Sequence, residues 1–411
     1  MKKAPRLRFR GFQEDWELCK VGDFGREIYG GGTPKTSVKE FWSGTLPWIQ
    51  SSDLKEDKVC DIKAKKHISV KAIQQSSAKK ISKNSIAIVT RVSVGKLVLM
   101  PYEYATSQDF LSISVLQVDK WFGVYSLYNK LQSELNSVQG TSIKGITKDE
   151  LLNKKIMIPK PLKEQSKIGL FLKKIDTTIA LHQRKLDQLK ELKKAYLQLI
   201  IVLNSSENST VPKLRFANFT GEWELCKLGD ELALLKDGTH GTHTDSLVGP
   251  YLLSAKNIKN GKINITNEDR KISQDEFDRI HSRFSLKKDD ILLTIVGSIG
   301  EAAILRAPEG ITFQRSVAYL RSKVINPEFL YTYITGPEFQ KELKNRQVVS
   351  AQPGIYLGDL DKIPILFPKT SREQQKIGTF FQQLDQAITL HQNKLTQLKF
   401  LKKSYLQNMF I

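Results

Sequence analysis

Two stretches of this 411-residue chain occur twice, and that repetition narrows the possible folds more than any other feature. Pro5-Arg6-Leu7-Arg8-Phe9, Phe12, Trp16-Glu17-Leu18-Cys19-Lys20 and Gly22-Asp23 form the first motif. They return as Pro212-Lys213-Leu214-Arg215-Phe216, Phe219, Trp223-Glu224-Leu225-Cys226-Lys227 and Gly229-Asp230, a period near 207 residues. Residues 163–198 align without gaps to 372–407, and 22 of those 36 positions are identical. The chain reads as two copies of one plan in the order 1–162 (domain), 163–203 (helix), 204–370 (domain) and 371–411 (helix). Between the matched ends, weaker echoes survive. Residues 47–54 resemble 250–258, residues 86–90 resemble 291–295, and Thr106-Ser107-Gln108 resembles Thr312-Phe313-Gln314. They keep apolar runs while changing the polar neighbours, as expected of equal scaffolds with unlike surfaces.

The recurring 36-residue stretch carries a sustained apolar heptad. Ile168, Ile175, His182, Leu189 and Tyr196 fall seven apart, with Phe171/Leu172, Ile179, Leu186, Leu192 and Leu199 in the partner positions. The second copy gives Ile377, Leu384, His391, Leu398 and Tyr405, supported by Phe380/Phe381, Ile388, Leu395, Leu401 and Met409. Such spacing predicts long helices that pack along a seam, most simply against each other as a coiled coil. Prolines at 159, 161, 364 and 368 precede the helices, where they do no harm. Polar residues 204–210 read as a short linker. His182 and His391 lie on the seam, which favours packing over metal binding. The lysine runs Lys190/Lys193/Lys194 and Lys399/Lys402/Lys403 read as solvated faces.

Each intervening segment is mixed. Apolar runs at 85–90, 96–100 and 111–118 predict strands, as do 290–296, 302–305 and 316–321; helices are expected over 121–137 and 326–345. The loops hold the interesting chemistry. Gly31, Gly32, Thr33 and Lys35 follow a short apolar run, and Lys236, Gly238, Thr239 and His240 stand in the same place later. Glycine allows close backbone approach to another surface, and N–H, Thr and Lys groups suit phosphate oxygens. Base edges are read by Arg against guanine and by Asn or Gln against adenine. Arg91, Gln108, Lys256, Asn257, Gln314 and Arg315, near predicted strand ends, are the candidates. His240 and His243 have no further ligand at zinc spacing.

Charge points to the same partner. The net +21 favours a polyanion. It is unevenly held: residues 1–162 carry 27 Lys and Arg against 16 Asp and Glu, whereas 204–370 carry 22 against 21. The first domain therefore supplies most of the general attraction, and the second depends on local contacts. Three widely spaced cysteines fit a reducing, cytoplasmic setting, and neither a signal peptide nor a membrane-spanning run is evident. There is no nucleotide-binding Gly-Lys-Ser/Thr loop and no Asn/Asp-Pro-Pro-aromatic sequence. The triplets Glu56-Asp57-Lys58 and Glu342-Leu343-Lys344 lack an upstream acidic partner, so no catalytic constellation is present.

The whole pattern resembles the specificity subunit of type I restriction–modification systems. The resemblance rests on the domain–helix–domain–helix order and on Glu164-Gln165, Lys167-Ile168-Gly169, Leu189-Lys190, Lys193-Lys194 and Tyr196-Leu197-Gln198 with their second copy. The Gly31-Gly32-Thr33-Pro34 and Asp237-Gly238-Thr239-His240 loops also resemble those that open recognition domains in that family. It implies an α+β chain: two tandem mixed α/β target recognition domains separated by two long antiparallel-packed helices forming a coiled coil. It further implies a non-catalytic reader of a split, asymmetric site in double-stranded DNA. Two methyltransferase (modification) subunits and restriction/translocase subunits would be its partners. S-adenosylmethionine, ATP and Mg would belong to those partners, with no cofactor, metal or membrane contact in this chain. A helix of about 36 residues is roughly 54 Å long, on the order of 16 base pairs of B-DNA, which suits a ruler between half-sites. The competing reading is a coiled-coil scaffold that meets nucleic acid nonspecifically.

Overall fold

The computed structural model describes residues 4–137, 145–201, 210–282, 284–348 and 353–411; most of the expected 204–210 linker lies outside them. The chain forms two compact units, Met1–Arg184 with Asn393–Ile411, and Lys185–Gln392. Each unit is thus one globular domain, the start of the long helix that follows it, and the end of the other long helix. No helix among the described residues is long and apolar enough to cross a membrane.

Each domain is built on a four-stranded antiparallel sheet. In the first unit the order is Gly25–Gly30, Phe110–Leu116, Ser85–Val89, Leu97–Met100. In the second it is Leu232–Asp237, Val317–Ser322, Ile291–Thr294, Ala302–Ile304. The continuous apolar run 86–89 is buried on both faces. Ile86 and Ile88 join the core around Trp16, Phe122 and Ile168, while Ala87 and Val89 join a second cluster around Ile49 and Tyr104. Alternation along a strand sends neighbours to opposite faces, so a doubly covered strand is apolar at successive positions rather than at every second one. Ile291 and Leu293 against Leu292 repeat the division. A short parallel pair lies beside each sheet: Leu46–Ile49 with Ala105–Thr106, and Tyr251–Leu253 with Ile311–Phe313.

The expected helix over 121–137 is Lys120–Ser137, but that over 326–345 is two helices, Pro327–Ile334 and Pro337–Asn345. Pro337 explains the break. It lacks an N–H and forces its predecessor out of helical backbone, and Gly336 is accordingly extended at ψ 158°.

The long helices are Leu162–Ile200 and Ser371–Met409. In the first unit their segments run antiparallel: the Phe171 ring meets Tyr405 edge-on at 4.8 Å, and Lys402 pairs with Asp176 at 2.7 Å. The second unit repeats both contacts with equivalent residues, Phe380 on Tyr196 at 5.0 Å and Lys193 on Asp385 at 2.7 Å. Lys193 and Lys402 are therefore not part of a solvated face; Lys402 is only 7% exposed. The seam also departs from the strict heptad. Ile168, Ile175, Leu189 and Ile377 are buried, and His182, Tyr196, Leu384, His391, Leu398 and Tyr405 half-buried, whereas Leu192, Leu199 and Leu401 are exposed. Leu197, Ile200 and Leu406 are buried instead. An α-helix of 3.6 residues per turn drifts away from a 3.5-residue repeat, so no single heptad register serves both a helix partner and a domain.

The recurring Glu-Gln pair fastens each domain to its helix. Glu164, fully buried, takes two hydrogen bonds from Arg8, at 2.7 Å from Nε and 2.8 Å from Nη2. Glu373 holds Arg215 in the same way at 2.6 and 2.7 Å. Gln165 accepts from Asp119 N–H and donates to Pro159 O; Gln374 does so for Asn326 and Pro368. The glycine of the motif lets the helix touch its domain. A Cβ on Gly169 would lie 2.4 Å from Phe122 N, and one on Gly378 2.6 Å from Glu328 Cβ. Removing one partner of a buried bidentate pair leaves an uncompensated charge, at a cost of about 3–5 kcal/mol. Arg8→Ala and Arg215→Ala should each lower stability by about 3 kcal/mol in urea unfolding followed by tryptophan fluorescence. An unchanged midpoint would show that the pair does not anchor the arm.

Candidate nucleic-acid interface

Antiparallel order places four chain segments at one end of each sheet. In the first unit these are the turn after Gly30, the 90–96 turn, the 107–109 turn and the turn at Gln50–Asp53 that follows the parallel strand Leu46–Ile49. Backbone bonds bind them together. Gly31 N–H donates to Phe110 O, Gly32 N–H to Thr106 O, Ser107 N–H to Ile49 O and Thr90 N–H to Asp109 O. Gly31, Gly32, Thr33, Lys35, Arg91 and Gln108 therefore share this end, and Lys35, Arg91 and Gln108 are exposed there.

The second unit repeats the arrangement. Gly238 N–H donates to Val317 O, Thr239 N–H to Phe313 O, Gln314 N–H to Leu253 O and Arg315 N–H to Thr239 O. Arg315 and His240 are exposed, Thr239 and Gln314 half-buried. Neither Arg91 nor Arg315 has an ion-pair partner among the described residues. The position equivalent to Arg91 is Val296, in a turn covered by 353–355 through Gly297 N–H to Pro353 O and Ile355 N–H to Ile295 O. The two ends share a scaffold and differ in what they display.

Several nominated residues do other work. The glycines approach the chain's own backbone: a Cβ on Gly31 would lie 1.9 Å from Ser107 O, one on Gly32 2.2 Å from Ser77 O and one on Gly238 2.2 Å from Phe313 O. Asn257 is buried at 4% exposure. Its amide oxygen accepts from Ser254 N–H and its amide nitrogen donates to Asn264 O, so it is not presented to a ligand. Lys256 pairs with Asp269 at 3.0 Å, and the Asn257 amide and Thr266 N–H hold the Asp269 carboxyl well below the usual range. Lys236 lies 5.0 Å over the Phe284 ring. His240 pairs with Asp237 at 2.6 Å rather than with His243. No cluster of three or more His, Cys, Asp or Glu side chains suited to a metal occurs among the described residues. Burial pushes the Cys60 thiol up to about 12 and Cys226 up to about 11, aided by nearby carboxylates, which leaves neither as a thiolate at neutral pH.

Two features of these ends are faint or absent in the sequence. The Gln50–Asp53 turn, closed by Gln50 N–H to Asp53 Oδ2 at 3.1 Å, joins the shared end; its echo in Ser254–Asn257 was the available signal. The contact of His243 with Glu276, 33 residues away, left no local trace.

The model of the type I restriction modification DNA specificity domain matches residues 13–191 and again 222–399. The MjaVIII type I restriction enzyme specificity subunit of Methanocaldococcus jannaschii is 24% identical over 398 residues, covering 95% of this chain and 91% of that protein. The EcoBI specificity subunit of Escherichia coli is 24% identical over 321 residues, 72% of this chain and 66% of that one. The S subunit of the type I system of M. genitalium superposes with a TM-score of 0.67 over 99% of both chains at 16% identity, which establishes the shared fold. An added methyl at the tight glycines forces backbone apart, and overpacking of this kind costs about 1–3 kcal/mol. Gly31→Ala and Gly238→Ala are expected to lose about 2 kcal/mol each by chemical denaturation, whereas Gly358→Ala, with open space around its Cβ and helical backbone, loses less.

Proposed function

The chain belongs to the type I restriction–modification DNA specificity family, and from that premise we propose how it reads its target: each unit reads one half of a split, asymmetric site with the turn cluster at its sheet end. The observation that carries this is the equivalence of the two ends in backbone and their difference in side chains. Arg91 and Gln108 stand at one end, and Thr239, Gln314 and Arg315 at the other. A symmetric pair of readers would display matching residues and favour a palindrome. The subunit is itself non-catalytic. Two modification subunits supply S-adenosylmethionine-dependent methylation, and restriction subunits supply the ATP- and Mg-dependent steps. The long helices set the separation of the half-sites and offer the surfaces on which those partners assemble.

Domains fit this division as 1–162 and 204–370 for reading, and 163–203 and 371–411 for spacing. The excess of positive charge in residues 1–162 supplies general attraction to phosphates, so binding through the first domain falls more steeply with salt. Lys35 serves there as a phosphate contact.

Mapping methylated bases in a host carrying the complete complex tests the reading. One recurring split motif is expected; its absence from active complexes would instead favour a scaffold with nonspecific nucleic-acid binding. A bidentate arginine–guanine contact contributes about 1–3 kcal/mol of discrimination. Arg91→Ala should therefore relax one position of the first half-site only, and Arg315→Ala one position of the second. Removing seven residues from both long helices should shorten the unread spacer and leave both half-sites unchanged. A spacer of unaltered length would refute the ruler.

A further inference from the structure

The second unit holds a buried relay beside its reading turn. His243 Nδ1 lies 2.7 Å from Glu276 Oε1, and Nε2 of the same ring lies 3.1 Å from Thr239 Oγ1. The His243 side chain is 7% exposed and that of Glu276 11%. The pair is braced from outside: Arg279 reaches Glu276 at 3.3 Å, and Arg270, paired with Asp245, donates to His243 O at 2.8 Å. Thr239 is fixed in turn by its backbone bonds to Phe313 and Arg315.

The hydrogen-bond roles follow from the inventory of each group. An ionised carboxylate only accepts, so in the neutral ring Nδ1 carries the proton and Nε2 is left with a lone pair. Nε2 then accepts from the Thr239 hydroxyl, whose single hydrogen is used inward. The other approach open to that hydrogen, to His240 O, is longer at 3.5 Å and at the limit of a hydrogen bond. What the hydroxyl can offer outward is its remaining lone pair. The first unit has nothing equivalent, because Gly32 stands at the place of Thr239.

We propose that His243, oriented by Glu276, is a positioning residue that fixes the Thr239 hydroxyl as an acceptor for a base amino group, adenine N6 or cytosine N4, in the half-site read by the second unit. This rests on the DNA-reading role proposed above. Thr239 would then act as a specificity determinant of one sign: it favours a base that donates and disfavours guanine or thymine, whose major-groove edges present acceptors. A freely rotating hydroxyl could serve either kind of edge, so the relay is what turns a tolerant side chain into a selective one.

The test uses the full chain assembled with its modification subunits and a duplex carrying the motif mapped for the unaltered complex. Single base-pair replacements across both half-sites are compared by competition binding. Thr239→Val should lose about ten-fold discrimination at one base pair of the second half-site and none elsewhere. Thr239→Ser should keep it. His243→Leu, which leaves the hydroxyl in place but frees its hydrogen, should lose discrimination at that same base pair. Uniformly weaker binding of every duplex by Thr239→Val and His243→Leu would mean a structural role and overturn the proposal, as would unaltered base preference. An unaltered complex that yields no motif at all would fail the DNA-reading role instead, so the two failures are distinct.

Discussion

The rest of the molecule hangs on a buried charge pair made twice, Arg8 with Glu164 and Arg215 with Glu373. Neither charge could be left in the interior alone, so the arm that carries each arginine has only one place to go. That place is the first turn of the long helix following its own domain. Once there, the arm sets its aromatic residue against the helix, Phe9 on Phe171 and Phe216 on Phe380, both at 5.7 Å. The neighbouring glutamine ties the same turn to the start of a domain helix, and the tryptophan of the motif packs edge-on against the phenylalanine there, at 5.9 and 5.8 Å. Each side chain of this join therefore recurs in both copies. The join must be rigid for a reading surface to keep a fixed relation to its helix.

The two copies do not satisfy their polar groups equally. Trp16 Nε1–H reaches Glu164 at 3.4 Å, whereas Trp223 Nε1 is buried without a partner among the described residues. At the sheet ends the divergence is larger, with Arg91 replaced by Val296 and Gly32 by Thr239. The scaffold tolerates this because the turns are held by main-chain bonds, which do not depend on side-chain identity. A fixed backbone carrying exchangeable side chains is what a family of readers with different targets requires.

Much of this was legible in the sequence. The 207-residue period gave the twofold plan, and unbroken apolar runs located the central strands because those strands are covered on both faces. Gly31, Arg91 and Gln108 could be nominated because strand ends carry turns, although the sheet order that gathers them was not visible. Other features were hidden for physical reasons. Asn257 looked like a base reader but spends its amide on its own turn, and a local capping role leaves the same residue type in the sequence. Lys193 and Lys402 looked solvated because their aspartate partners lie on the other helix, 192 and 226 residues away. The 326–345 stretch breaks at Pro337, whose mark in the sequence is masked by the apolar pattern that continues on both sides of it.

The meeting of residues from opposite ends of the chain carries a consequence for synthesis. In the first unit Leu7 N–H donates to Asn408 O, and Leu406, Met409 and Phe410 belong to the same core as Trp16 and Phe122. A ribosome adds roughly 5–20 residues per second. The amino-terminal domain must therefore wait, with an apolar strip uncovered, while more than half of the polypeptide is still being made. The second unit ends at residue 392 and can close earlier. The half of the molecule translated first is thus the half completed last.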